Sequence, residues 1–274
     1  MIFQQYTLAN DPAMNEVLVA FLSEAGFDSF QETDAGLLAF APAADDARWV
    51  RELDELATRF SFSYTSQPLE DKNWNEEWEK QFKPLRIGDR LYIRADFHPP
   101  HPGIEQELVI TPKMAFGTGH HPTTHMMCEL IFEQDLAGKR VFDYGSGTGV
   151  LAILAKRLGA AEADAVDIES WSAENTLENA DRNGVTMNRI IHGTLDDVPP
   201  GEPYDLILAN INRNVILTTA EALYLRLRPG GTVLFSGILD TDEQLLVTSL
   251  SRLGFVHHDT RQRADWRAFV FTRN

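Results

Sequence analysis

Val141-Phe142-Asp143-Tyr144-Gly145-Ser146-Gly147-Thr148-Gly149-Val150 runs from an apolar strand through three alternating glycines into a helix. Glycine belongs where the chain turns sharply and where a ligand must approach the backbone with no Cβ in the way. The stretch therefore predicts a nucleotide-like cofactor at a strand-to-helix turn. An acid that holds ribose hydroxyls belongs at the end of the next strand, and Asp167 stands there, 22 residues beyond Gly145.

Two cofactors fit this turn. Gly147-Thr148-Gly149-Val150-Leu151-Ala152 matches the dinucleotide pattern GxGxxA, which points to NAD. Against NAD, Asp143 precedes the glycines as D-x-G-x-G-x-G. That arrangement resembles the first motif of class I S-adenosylmethionine-dependent methyltransferases, where an acid can serve a cationic amino group but would repel a pyrophosphate. The methyl donor is the favoured reading.

Outward from this turn, from about residue 120, helical and strand patterns alternate. Helices are expected at Pro122-Phe132, Val150-Leu158, Trp171-Asn183, Val215-Leu227 and Asp242-Leu253, with strands at Arg140-Asp143, Ala163-Asp167, Asp205-Ala209 and Thr232-Ser236. A closing hairpin is expected at Phe255-Asp259 and Trp266-Phe271. This is the signature of a parallel, doubly wound sheet. Tyr204-Asp205-Leu206-Ile207-Leu208-Ala209-Asn210 ends at the carboxyl edge, where such sheets place reacting groups, and Asn210 can accept a hydrogen bond from an amine. Upstream, Met114-Ala115-Phe116-Gly117-Thr118-Gly119-His120-His121-Pro122-Thr123-Thr124 is a glycine-rich turn with Pro at a helix start. It is expected to form a lid that aims backbone donors and Thr hydroxyls at the ligand.

The first 65 residues read as βαββαβ, a small split-βαβ sandwich of antiparallel strands under two helices, with no chemical motif. Lys72-Phe82 follows as a connecting helix with Trp74, Trp78 and Phe82 on one face, read first as a docking stripe and secondarily as a substrate grip. Leu91-Ala95 and Leu108-Ile110 are further candidate strands. The expected division is 1–66 for the N-terminal domain, 67–90 for a linker helix region and 91–274 for the catalytic domain.

At 274 residues, 43% hydrophobic and 24% charged, the composition is that of an ordinary globular protein. Apolar runs such as Val17-Leu22 fall far short of the ~20 residues of a membrane span, and the first ten residues hold no Lys or Arg to open a signal peptide. A lone cysteine, Cys128, allows no internal disulfide and suits a reducing compartment, so a cytoplasmic location is expected. The net charge of −17 disfavours direct nucleic-acid binding and calls for a basic macromolecular partner. Residues 1 to 70 carry 12 acidic against 3 basic side chains, more than half of that excess. Either solubility or a surface role of this segment accounts for it.

Over most of its length the sequence resembles the ribosomal protein L11 methyltransferase family. The matching residues are Asn73-Trp74-Asn75-Glu76-Glu77-Trp78 with Phe82-Lys83-Pro84-Leu85, then Phe116-Gly117-Thr118-Gly119 to Pro122-Thr123-Thr124, and Asp143 to Gly149. Asp167-Ile168, Asn210-Ile211, Arg228-Pro229-Gly230-Gly231 and Ser236-Gly237-Ile238-Leu239 continue the match. The resemblance implies an α/β chain: a doubly wound, Rossmann-like class I methyltransferase domain preceded by a small α+β ferredoxin-like domain that recognises substrate. It implies S-adenosylmethionine as cofactor, contacted at Thr124, Gly145, Asp167 and Asn210, with Gly147 added from the glycine loop itself. It also implies transfer of methyl groups to lysine ε-amines and the N-terminal α-amine of a large-subunit ribosomal protein. Asn210 is the expected catalytic residue, no metal is expected, and the chain is expected to be monomeric. Ser146 and Thr148 between the glycines, and Glu169-Ser170 after Asp167-Ile168, depart from the family pattern and should tune cofactor affinity.

His121, His125 and Cys128 share one helical face at zinc-like spacing. A cap at His121 and a core position at Cys128 are the preferred readings, because methyl transfer to nitrogen needs no metal. Two other classes compete with the methyltransferase: an NAD(P)-dependent oxidoreductase, and a nucleotide-sensing module whose acidic domain docks a basic partner.

Overall fold

The computed structural model describes residues 3–68, 83–111 and 115–274. It divides into two compact units, Met1–Gln81 and Phe82–Asn274. In the first, β1 (Phe3–Ala9), α1 (Asn15–Ala25), β2 (Ser29–Thr33), β3 (Gly36–Pro42), α2 (Asp46–Phe60) and β4 (Ser63–Pro68) follow in chain order. The sheet runs β2-β3-β1-β4, antiparallel throughout, which is the split-βαβ arrangement expected. Alternation does the sorting. Tyr6 and Leu8 of β1 and Leu37 and Ala39 of β3 point to one face, where they meet Leu18 and Leu22 of α1 and Trp49 and Leu53 of α2. The Tyr6 hydroxyl, carried into this core, donates to Asp46 at 2.6 Å. The acids Asp11, Glu24, Asp28, Glu32, Asp34 and Glu55 stay exposed. Arg48 lies over Trp49 and Arg59 over Phe21 and Phe60, so two of the few bases are held on aromatic rings.

The second unit begins with β5 (Leu85–Ile87), β6 (Leu91–Arg94) and β7 (Gln106–Val109), a small sheet in the order β5-β6-β7. Leu85–Ile87 falls in the stretch expected as linker. It is a strand because Leu85 and Ile87 pair with Ile93 and Leu91 across a tight turn, with Ile87 buried. The main body comprises α3 (Pro122–Phe132), β8 (Arg140–Tyr144), α4 (Val150–Arg157), β9 (Glu162–Asp167), α5 (Ser170–Arg182), β10 (Arg189–His192) and β11 (Tyr204–Asn210). Then follow α6 (Arg213–Arg226), β12 (Leu227–Leu239), α7 (Glu243–Arg252), β13 (Phe255–Arg263) and β14 (Trp266–Arg273). The seven strands are ordered β10-β9-β8-β11-β12-β14-β13, parallel from β10 to β12 and closed by the antiparallel hairpin β13-β14.

Successive strand residues serve two cores. Val141, Leu206, Leu208 and Leu234 face α3, α4 and the small sheet, whereas Phe142, Ile207, Val233 and Phe235 face α6 and α7. Strand order reverses between β8 and β11, so the chain leaves these neighbours toward opposite faces and opens a crevice at their carboxyl ends. Sequence reading missed β10. Ile190 and Ile191 are adjacent and only half-buried, so no period marks the strand, and its pairing with β9 alone makes it extended. The aromatic stripe of Trp74, Trp78 and Phe82 lies outside the described residues.

Candidate cofactor and acceptor site

The crevice at the strand reversal is a cleft of about 470 Å³, within the size range of small-ligand sites. Gly145 and Gly147 floor it, Asp167 stands at the end of β9, and Asn210 at the end of β11. Phe116, Ile168, Trp171, Ile211 and Val215 give it apolar walls. The turn after β8 is built as its glycines require. At Gly147, φ is +55° and a Cβ would overlap the Phe116 carbonyl oxygen and come within 3.1 Å of its carbon. The strap around Phe116 by itself requires glycine here, a constraint that the sequence did not reveal.

The strap is tied down at two points. Thr148 donates its N–H to the Phe116 oxygen at 2.8 Å and its hydroxyl to the Gly117 oxygen at 2.6 Å. Phe116, 55% exposed, is left as a ring over the cleft. The Thr hydroxyls expected to face the ligand are spent within the protein. Thr118 meets the His120 ring at 3.0 Å, Thr123 meets His121 Nδ1 at 2.8 Å, and Thr124 accepts from Asn210 Nδ2 at 3.2 Å. Gly145, Gly147, Asp167 and Asn210 thus meet at one cleft, while Thr124, fully buried, stands behind Asn210 and holds it. Ser146 and Thr148 are buried too: the Ser146 hydroxyl meets that of Thr176 at 3.1 Å, so both unusual side chains anchor the loop from beneath.

Asp143 does not face the cleft, contrary to expectation. It is buried, and its Oδ2 accepts the Ala152 N–H at 3.1 Å, in the first turn of α4. Burial pushes this carboxyl up to about 7, opposed by the Ala152 hydrogen bond and aided by the charge of Asp167. The helix start that would bind a pyrophosphate is occupied by the protein's own carboxyl group. Among the described residues no Lys or Arg lines the cleft either, so none of them offers a dinucleotide a cation there. A cationic sulfonium nucleoside suits these residues. Asp167 Oδ2 accepts from Gly147 N at 2.8 Å and Oδ1 from Glu169 N at 3.0 Å, which aims the carboxylate along the cleft for a ribose. Ile168 and Trp171, 65% and 45% exposed, offer flat apolar surface for a base. Sequence reading missed this pair, although large apolar residues directly after a strand's carboxyl end, outside the buried face of α5, are a usable signal.

His121 is the N-cap of α3, its Nδ1 accepting from Thr123 N, and burial lowers its pKa. Cys128 is wholly buried among Met127, Leu130 and Ile131. Among the described residues no group of His, Cys, Asp and Glu is placed to hold a metal ion, and no helix is long and apolar enough to cross a membrane.

Sheet order, glycine turn, internally capped helix and the acid at the end of β9 together define a class I methyltransferase. Residues 10–274 match the family model described as Ribosomal protein L11 methyltransferase (PrmA). The chain belongs to that family. A Porphyromonas gingivalis protein named ribosomal protein L11 methyltransferase is 42% identical over 263 residues, covering 94% of this chain and 90% of its own. The crystal structure of a ribosomal protein L11 methylase from Lactobacillus delbrueckii subsp. bulgaricus superposes with a TM-score of 0.65 at 28% identity, over 70% of this chain and all of that one. A 16S rRNA methyltransferase from T. thermophilus, solved with AdoMet and guanosine, matches at a TM-score of 0.50 and 20% identity over 58% of this chain and 45% of its own, a likeness of fold.

Proposed function

We propose that this chain transfers methyl groups from S-adenosylmethionine to lysine ε-amines and the N-terminal α-amine of ribosomal protein L11 in the cytoplasm, acting as a monomer. The reading is supported by its family and above all by the state of Asn210. The Asn210 amide donates its N–H to Thr124, and its Oδ1 accepts from no described residue, so a hydrogen-bond acceptor stands at the cleft wall. When bound, S-adenosylmethionine supplies an electrophilic methyl group on a positively charged sulfur. Gly145, Gly147, Asp167, Ile168 and Trp171 would hold it.

A lysine ε-amine has a reference pKa of about 10.4 and arrives as ammonium, with no lone pair to attack. The apolar walls formed by Phe116, Ile211 and Val215 strip its water and so favour the neutral amine. Asn210 Oδ1 then accepts an amine N–H and fixes the direction of the lone pair, which is the positioning that in-line displacement demands. A neutral acceptor suits this task, because a carboxylate would stabilise the unreactive ammonium. Thr124 is a positioning residue that acts through Asn210. The acidic N-terminal unit recognises the basic substrate, and the charge of the chain argues against direct contact with RNA. The test is transfer of radiolabelled methyl groups into purified ribosomal proteins, with the modified positions mapped by mass spectrometry. Label confined to L11 amines is the expected result, and absence of label from L11 overturns the reading.

A further inference from the structure

Beside the cofactor cleft lies a second, shallower groove lined by Asn212, Arg213, Asn214, Gly237, Leu239, Asp242 and Trp266. Asn212 lines both, so the groove continues from the cleft on the side of Asn210. Its floor is opened by a bulge. The pairing of β12 with β14 slips between Ser236 and Ile238, and the extra residue is Gly237, at φ +87°, whose Cβ would overlap the Ile211 oxygen. No side chain can stand there without displacing the turn that follows Asn210.

The walls combine three chemistries. Asn212 Oδ1 is used on Val215 N at 3.1 Å and Asn214 Oδ1 on the Arg213 guanidinium at 3.0 Å, which leaves the Nδ2 donors of both amides without a described partner. Leu239, 40% exposed, and Trp266 are directly paired across β12 and β14 and present an apolar strip. Trp266 continues through His121, 4.8 Å between ring centroids, to Phe116 at 5.3 Å, an aromatic wall running from the groove to the cleft. Asp242, on the groove wall, is paired with Arg213, and beyond it Glu243 and Asp240 are paired with Arg267 at 3.0 and 3.9 Å, so the charges at this end are balanced within the protein.

We infer that this groove seats the polypeptide on either side of the amine being methylated, a proposal that rests on the function given above. The Asn212 and Asn214 amides donate to carbonyl oxygens of the substrate backbone. The Leu239-Trp266 strip takes an apolar or long aliphatic side chain next to the methylated residue. A free amino acid or a nucleotide would leave this combination unused.

Leu239→Arg places a cation and bulk in the groove without touching the cofactor cleft. It should raise KM for L11 roughly tenfold, the scale of one or two lost polar contacts, with the S-adenosylmethionine Kd unchanged by calorimetry, while Leu239→Met keeps the parental KM. A second readout is independent of turnover. Because Cys128 is wholly buried, Leu239→Cys introduces the accessible thiol, which can carry a benzophenone photo-cross-linker. Cross-linking to L11 in a stretch flanking a methylated amine is expected. An unchanged KM for Leu239→Arg, loss of cofactor affinity instead of acceptor affinity, or absence of the cross-link overturns the groove. Failure of the parent enzyme to methylate L11 while the cross-link forms would instead overturn the proposed reaction.

Discussion

Gly147→Ala measures how firmly the strap is built into the site. At φ +55° an alanine incurs about 1 kcal/mol of backbone strain. Its Cβ also overlaps the Phe116 carbonyl oxygen, a backbone atom that cannot rotate aside. Relief requires the strap to lift, breaking the hydrogen bonds from Thr148 to Phe116 at 2.8 Å and to Gly117 at 2.6 Å. Each contributes about 1 kcal/mol, so the variant should lose roughly 3 kcal/mol in all. Gly138→Ala is the matched control: its φ is +74°, and a Cβ there meets nothing within 4 Å, so it should lose only the strain of about 1 kcal/mol. Urea denaturation compares the two, and calorimetry with S-adenosylmethionine reads the cleft. Lifting the strap withdraws Phe116 from the wall and should weaken binding roughly 100-fold, equivalent to about 2.7 kcal/mol. Equal stability of the two variants would refute the reasoning that the strap requires glycine here, and parental cofactor affinity in Gly147→Ala would show that the cleft does not depend on the strap.

Asn210→Ala should lower kcat toward L11 by roughly 10²-fold, and Asn210→Asp should not restore it; full turnover at saturating substrates would remove the positioning role. Asp143 carries a pKa raised by burial, to about 7, so the folded state binds its proton more tightly than the unfolded state does. The stability it contributes is present at low pH and falls as pH rises from about 4 to 7, at about 1.4 kcal/mol per unit. Relative to the parent, Asp143→Asn should therefore gain stability across that window by up to a few kcal/mol in urea titrations. A pH-independent difference would show that the carboxyl is not perturbed. Removal of Met1–Gln81 should leave cofactor affinity within about twofold, because the cleft residues all lie beyond residue 115, but should abolish methylation of intact L11. Methylation by the shortened enzyme at the parental rate would assign recognition elsewhere.

Much of this protein is legible in its sequence because the deciding features are local. A strand running into glycines and then a helix announces the turn at Gly145 to Gly149, since backbone sterics restrict what else those residues can do. Apolar runs four to seven residues long between helical periods announce a parallel sheet covered on both faces. The alternation of β1 and the amphipathic α2 announce the N-terminal sandwich. Asp167 and Asn210 were found because strand ends are readable and doubly wound sheets collect ligands at their carboxyl edge.

Tertiary structure decided where side chains point and what they meet, since those depend on neighbours distant in sequence. Asp143 and Asp167 are both acids at strand ends, yet one lies beneath α4 and the other faces the cleft, a difference set by how the helix seats on the sheet. Thr124 and Asn210 are separated by 86 residues, and only their meeting at 3.2 Å turns a predicted ligand contact into a support for the acceptor. β10 exists because β9 offers it an edge. The bulge at Gly237 that opens the second groove arises from a pairing slip between β12 and β14, and a slip is a property of two strands together.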